Sequence, residues 1–165
     1  MAVNAYLIID GVEGPSTSKK KAIDILSFSF GVSQTSTFGT GASGQEAHAG
    51  RADFGQLNIM KVLDKTSPAI LDNCVLGKVF KKVELFYDKP TGAKKDSQQD
   101  YFRITLQDAL VSSVQLSGSA DNPVESVSFS YRRIEVAYKP EKGDGTLDNY
   151  VPKGYDLATL QPWAA

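Results

Sequence analysis

The chain has 165 residues and a mass of 17.8 kDa, the size of one ordinary globular domain. It holds one cysteine, Cys74, and one histidine, His48, which excludes an intramolecular disulfide and any zinc site built from four Cys and His ligands. Its 18 Lys and Arg residues against 19 Asp and Glu residues give a net charge of −1. This balance supplies no field that would attract nucleic acid or anionic lipid, so we expect neither as a partner.

Enzyme motifs are missing from the sequence. A phosphate-binding GxxxxGK[ST] loop, a GxSxG nucleophile elbow and an HExxH zinc motif are all absent, and a histidine base would have to be His48, in a stretch rich in Gly, Ala and Ser. We therefore expect no catalytic residues, no cofactor and no metal. The N-terminus lacks a basic region and no window reaches the ~20 apolar residues of a membrane span. We therefore expect the chain to be synthesised in the cytoplasm, without a cleaved signal peptide or a membrane span.

Alternation of apolar and polar residues predicts a mostly β chain. The first predicted strand, residues 5–10, ends at a turn signal containing Gly11 and Gly14. In residues 22–33 the large apolar residues alternate with serines, which predicts a strand with one face on a core. Further predicted strands are residues 52–64, 79–88, 101–107, 110–117 and 124–138. Their spacing indicates two antiparallel sheets that form a barrel or sandwich.

The last predicted strand contains a change of phase. Its apolar residues occupy odd positions up to Tyr131 and even positions from Ile134 onward. A strand in register keeps its parity, so this change predicts a β-bulge or bend at Arg132 and Arg133.

One segment, residues 66–78, predicts a short helix. Ser67 is placed to cap it, Pro68 suits its first position, and Gly77 can adopt the left-handed conformation that ends it. Its apolar residues predict a stripe that packs on a sheet, formed by Ile70, Leu71, Cys74 and Val75. On this basis we expect Leu71→Ala to cost about 2–5 kcal/mol of stability.

Residues 34–50 predict a long loop, because they hold four Gly, three Ala and five Ser or Thr, with Phe38 as the one large apolar residue. Such a loop is either a floppy insertion or an arm that orders on assembly. The residues that we expect to make contacts in the second case are Phe38, Gly39, Gly41, Gly44 and Gln45.

The final part of the chain loses the alternation, so we divide the sequence into a β-domain, residues 1–140, and a tail, residues 141–165. The tail carries enough large apolar groups to offset part of the cost of ordering it. We expect it to dock on its own domain or on a neighbouring copy through Tyr155, Leu157, Leu160 and Trp163. Residues 156–161 predict one helical turn that starts at Asp156. A frayed end is the alternative.

Four segments of the chain resemble the haemolysin co-regulated protein (Hcp) family, the tube subunits of the bacterial type VI secretion system. They are AYLIIDGVEGPS at 5–16, ILSFSFGVSQ at 25–34, ADFGQLNIMKVLDKTSPAI at 52–70 and VESVSFSYRRIEVAY at 124–138. Together they span roughly residues 3–140 in the family's order, and their combination is specific where each alone is not.

The resemblance implies a homohexameric ring of subunits, and rings that stack into a hollow tube. It also implies three partners besides further copies of the chain: a spike protein at the tip, a contractile sheath, and effector cargo carried when the tube is expelled. Under this hypothesis residues 34–50 serve the contacts between stacked rings. A heterologous interface that closes by rotation is what such a ring requires.

Two other classes of function stay open at the level of sequence. A ligand-binding sandwich, such as a lectin-like module, predicts a monomer or dimer with an exposed aromatic platform. A secreted enzyme with an unrecognised site predicts a buried cluster of polar residues. If the purified protein forms rings, the tube subunit is favoured over both of these classes.

Overall fold

The computed structural model describes residues 3–37, 48–91 and 98–164. These residues form two antiparallel sheets and one short helix, as the sequence predicts for the fold class. The elements are β1 (Asn4–Ile9), β2 (Ile23–Asp24), β3 (Ser27–Ser29), β4 (Val32–Thr37), β5 (His48–Phe54), β6 (Leu57–Val62), α1 (Ser67–Leu76), β7 (Val79–Pro90), β8 (Gln98–Ser117), β9 (Val124–Tyr138), β10 (Val151–Asp156) and β11 (Gln161–Pro162).

The larger sheet has nine strands and folds over a single core. Its main path runs β11-β10-β9-β8-β7-β1-β2, and β6 joins it by pairing with both β9 and β3. Because β9 pairs with β6 through its first half and with β10 through its second half, the two halves belong to different layers. The segment 23–29 bonds first to β1 and then to β6: the amide of Ile25 donates to Ala5 and that of Leu26 to Met60. The layers therefore enclose the core on both sides.

The change of layer takes place where β8 and β9 bend together. In β8 the buried residues shift from Ile104 and Leu106 to Ala109 and Val111, the same change of parity that β9 shows at Arg132 and Arg133. Asp108 lies at this bend with φ of 50°, a left-handed conformation that Asp tolerates better than most residues. The register between the strands is the same on both sides of the bend and shifts only further along, between Val111 and Ser113.

Several strand boundaries differ from the expectation. Residues 101–117 form one continuous strand rather than two, because β9 pairs with β8 from Phe102 to Ser117, across the predicted break. Residues 22–33 are divided among β2, β3 and the start of β4, and residues 52–64 between β5 and β6. Leu26 and Val32, expected on the core face, are 58% and 49% exposed because the chain changes partner at each break.

The helix begins and ends as its local residues predict. Pro68 occupies the first turn, and Gly77 terminates the helix with φ of 64°, donating its amide to Cys74. The N-cap is Thr66 rather than Ser67, and its side chain does not cap the helix. Instead Asp64 accepts hydrogen bonds from the amide of Thr66 at 2.8 Å and from its hydroxyl at 2.5 Å. Burial opposes ionisation of Asp64, but these bonds and Lys61 hold its pKa below the ordinary value.

The predicted apolar stripe of the helix is wrong in half of its members. Ile70 is fully buried and Cys74 is half-buried, but Leu71 is 43% exposed and Val75 is 77% exposed. The helix packs on β8 through a narrow face that contains Ser67 and Ile70, at positions i and i+3. The expected loss of 2–5 kcal/mol therefore belongs to Ile70, not to Leu71.

Ser67 faces inward because it completes a buried polar network. Lys61 of β6 and Glu125 of β9 lie directly opposite each other in the sheet, are both fully buried, and form an ion pair. The Ser67 hydroxyl donates to Glu125 at 2.8 Å and accepts from the Lys61 ammonium at 3.1 Å. The network thus fixes the start of the helix on the junction of β6 and β9.

Candidate assembly surfaces

Strands β4 and β5 form an arm beside the larger sheet. Among the described residues, these two strands pair only with each other. The prediction that residues 34–50 form a loop is therefore wrong at both ends, because residues 34–37 and 48–50 belong to the strands of a hairpin. The sequence pattern did not predict these strands because they are poor in apolar residues. The expected contact residues Phe38, Gly39, Gly41, Gly44 and Gln45 lie outside the described residues.

The base of this hairpin is fixed to the larger sheet. The amide of Gly55 donates to the carbonyl of Gly31 at 2.9 Å, which closes the two arms. The hydroxyl of Tyr131 donates to the carbonyl of Gly55 at 2.7 Å. Burial raises the pKa of Tyr131, so this hydroxyl remains a donor at any physiological pH. The direction in which the arm leaves the domain is therefore set by β9.

An apolar groove of about 610 Å³ separates the hairpin from the end of the chain. Val32 and Phe54 line it on the hairpin side, and Tyr155 and Leu160 line it on the other. The Phe54 and Tyr155 rings contact each other at the base, with centroids 5.9 Å apart. Val32, Tyr155 and Leu160 are each about half exposed, so the groove presents unburied apolar surface to its surroundings.

The residues of the predicted tail extend the larger sheet. Strand β10 pairs along the second half of β9, from Val151 opposite Tyr138 to Asp156 opposite Arg133. Strand β11 then returns on β10, where the amide of Trp163 donates to the carbonyl of Gly154 at 2.8 Å. At Gly154 a Cβ would lie 2.3 Å from the carbonyl oxygen of Trp163, so this approach of the chain requires glycine.

Asp156 is the main polar anchor of this segment. Its carboxylate accepts a hydrogen bond from Arg133 at 2.7 Å and lies 3.7 Å from Arg132. The bond from Arg133 lowers the pKa of Asp156 to about 2, with further help from the amides of Ala158 and Thr159. The arginine pair at the bend of β9 thus has a second role, which the sequence does not predict.

The four tail residues singled out by sequence have different surroundings. Leu157 packs against the core cluster, and the Trp163 ring lies 5.8 Å from the Arg133 guanidinium. Tyr155 and Leu160 line the groove. Leu160 is the last residue of the turn after β10, where its amide donates to the backbone carbonyl of Asp156, and it has φ of 56°, a conformation costly for leucine.

The exposed side of α1 forms a second apolar surface. Leu71, Val75 and Leu76 are 43%, 77% and 69% exposed, and Val79 beyond the helix is 55% exposed. Two of these residues, Leu71 and Val75, belong to the stripe that the sequence predicts on the core. Periodicity shows that a helix has an apolar side, but not whether that side meets the sheet.

The described part of the chain contains neither a helix that is long and apolar enough to cross a membrane nor a cluster of three or more metal-ligating side chains.

Comparison with known proteins identifies the family. Residues 6–138 match the family model described as "Type VI secretion system effector, Hcp". The chain belongs to the Hcp family. It is 35% identical over 152 residues to the protein hcp1 of Pseudomonas aeruginosa, with 90% of each chain covered. The resemblance found in the sequence is thereby confirmed, and the chain is a structural tube protein of type VI secretion.

Solved structures of Hcp proteins share the fold over nearly the whole chain. One described as a type six secretion system protein has a TM-score of 0.85 at 27% identity and covers 98% of this chain and 100% of its own. Hcp1 from Salmonella typhimurium has a TM-score of 0.72 at 23% identity, with 99% and 100% covered. The agreement in fold extends beyond residues 6–138, so it includes β10 and β11.

Proposed function

We propose that the chain assembles into homohexameric rings, and that these rings stack into the tube that the type VI secretion system expels with its cargo. The observation that supports this most directly is the hairpin arm beside an open apolar groove, in a chain of the Hcp family. A ring needs two different surfaces that fit each other on neighbouring subunits, and an arm beside a groove provides such a pair.

The occupant that we propose for the groove is the next copy of the same chain. The apolar residues that line the groove are about half exposed, and their contact with water is unfavourable in a free monomer. Between two subunits the same residues would be buried as in the core of an interface. The cost of holding Leu160 in a left-handed conformation also supports an interface, because this conformation fixes its side chain at the mouth of the groove.

Residues 38–47, between the two arms, have a different role in this proposal. They are rich in Gly, Ala and Ser, with Phe38 as their one large apolar residue, and a neighbouring ring is the partner that we propose for them. Phe38 is the proposed anchor, because single large aromatic residues supply much of the binding energy in such contacts.

Further proposed partners are the spike protein at the tube tip, the contractile sheath around the tube, and the effector cargo. We also propose that the chain reaches the type VI apparatus from the cytoplasm. In this role the chain works by assembly and carries no catalytic residues.

The ring proposal is tested by placing a charge in the groove. Val32→Asp should reduce self-association at least tenfold, because a carboxylate would have to be buried against apolar groups of the neighbour. Val3→Asp is the matched control, since Val3 has the same exposure, 51% against 49%, and does not line the groove. Native mass spectrometry and electron microscopy should show hexameric rings for the unchanged chain and for Val3→Asp. A stable monomer of the unchanged chain at micromolar concentration contradicts the proposal.

The stacking proposal is tested by deleting Gly39 to Gly44. Single rings should form as before, because the hairpin base is held by Gly31, Gly55 and Tyr131, all outside the deletion. Tube growth should be lost or strongly reduced, because the contact between rings is removed. Electron microscopy of the purified variant counts rings and tubes separately. Disappearance of the rings themselves would place the deleted segment within the ring interface instead.

A further inference from the structure

Two carboxylates face each other across the ends of β7 and β8. Tyr87 pairs with Phe102, but the next residue, Asp88, pairs with Asp100, so Tyr101 is an extra residue in β8. This β-bulge places Asp88 and Asp100 side by side. Like charges directly opposite each other destabilise a sheet, so the pair requires compensation.

A single lysine supplies part of this compensation. Lys19, from the turn between β1 and β2, donates a hydrogen bond to Asp100 at 2.8 Å, and its ammonium lies 4.0 Å from Asp88. The ammonium also lies 3.9 Å from the centroid of the Phe86 ring, which holds it in place. Counting the described groups alone, this one cation and two ionised carboxylates leave one negative charge in excess.

The excess charge lies in a protected position. Asp88 is 7% exposed, and its Oδ1 atom has no hydrogen-bond partner among the residues that the structure describes. The cluster borders a polar cavity of about 480 Å³, to which Asn4 and Tyr6 of β1, Ser18 of the turn and Gln98 of β8 contribute. Other titratable groups that act on the pair are Lys139, which attracts Asp100, and Tyr150, beyond the end of β9. A buried carboxylate without full compensation is unfavourable, and taking up a proton removes its charge.

We propose that Asp88 and Asp100 share one proton, and that this proton holds the turn between β1 and β2, which carries Lys19, against the ends of β7 and β8. With the proton bound, the Asp88 carboxyl donates its O–H to the Asp100 carboxylate, which also accepts from Lys19, and the cluster is neutral. Without the proton, the cluster carries one negative charge and the junction is weakened. Only a proton is exchanged with solvent.

The electrostatics of the site support the same assignment. Burial, the hydrogen bond with Asp100 and the charge of Asp100 raise the pKa of Asp88 to about 7. Burial opposes ionisation of Asp100, but hydrogen bonds from Asp88 and Lys19 hold its pKa below the ordinary value. Between the ordinary pKa of 3.8 and about 7, folded Asp88 therefore binds a proton that unfolded Asp88 has lost. The folded state binds more protons in this window, so stability falls as pH rises through it.

The test compares the full chain with Asp88→Asn, whose amide can donate to Asp100 as the protonated acid does. The denaturation midpoint of the unchanged chain should fall between pH 5.5 and pH 8, and Asp88→Asn should lose most of this fall. At pH 8 the variant should be the more stable protein. The control is Asp72→Asn, an exposed substitution on α1, which should keep the full response to pH.

Carboxyl-carbon NMR of the unchanged chain provides a second measurement that needs no variant. Asp88 should titrate near pH 7 and Asp100 below its ordinary range. Titration of Asp88 near pH 4 would overturn the proposal. An Asp88→Asn variant with the same response to pH as the unchanged chain would also overturn it, because the proton would then be bound elsewhere.

Discussion

Replacing Lys61 by methionine should destabilise the chain by about 3–5 kcal/mol, because it leaves the Glu125 carboxylate buried without its cation. The Ser67 hydroxyl would still donate to Glu125, but one neutral hydrogen bond does not replace a buried cation. Chemical denaturation of the purified protein measures the loss directly. For a chain of this size it corresponds to a fall in melting temperature of about 2–4 °C for each kcal/mol.

The double variant Lys61→Met with Glu125→Leu distinguishes the effect of the two buried charges on stability from the effect of the volume that the two side chains fill. Apolar residues of similar volume remove both buried charges, so the double variant should recover most of the stability lost by Lys61→Met. Lys82→Met is the matched control: Lys82 is also a strand lysine near a glutamate, at 3.2 Å from Glu84, but it is 48% exposed. It should cost less than about 1 kcal/mol. A similar loss from both single variants would mean that the Lys61 pair is not buried as described.

The second large effect is expected on α1. Ile70→Ala should cost about 2–5 kcal/mol, because Ile70 is fully buried and the truncation leaves a cavity between the helix and the sheet. Leu71→Ala should cost less than about 1 kcal/mol in the free subunit, because Leu71 is already 43% exposed. Urea denaturation of both variants, under conditions that keep the subunits apart, gives the comparison.

The neighbouring position serves as the control for helix propensity. Both variants introduce alanine, so helix propensity differs between them only by the small difference between isoleucine and leucine, and a difference of more than about 1 kcal/mol reports packing. Equal losses from the two variants would contradict the observed orientation of α1. A larger loss of stability from Leu71→Ala than from Ile70→Ala would mean that Leu71 is packed on the core, as the sequence predicts.

Local sequence determined the class of the fold, the bounds of one long strand and the position of the helix. Alternation of polar and apolar residues predicted a β protein, and the strand at residues 124–138 has the predicted bounds. Pro68 and Gly77 placed the helix, because proline and glycine act on the backbone at their own positions. The family was also present in the sequence, since its motifs are local stretches in a fixed order.

The candidate surfaces were only partly predictable. The tail residues around Tyr155 stood out by their apolar character, but their strand depends on pairing with β9. The hairpin arms, residues 32–37 and 48–54, show weak alternation of their own and form a sheet because each supplies the other's hydrogen bonds. The role of Arg133 was hidden because its partner, Asp156, lies 23 residues further along the chain.

What the tertiary structure alone decided is which groups meet. Lys61 occupies the same strand face as the buried Leu57 and Ile59. Glu125 likewise shares a face with the buried Val127 and Phe129. The sequence pattern alone therefore places both charged residues on the core side of their strands. Their pairing required β6 and β9 to align in one register. The orientation of α1 was decided in the same way, because burying Ser67 satisfies that ion pair while Leu71 turns outward. Periodicity is a property of one segment, but the free energy of a buried charge depends on the partner that another segment brings to it.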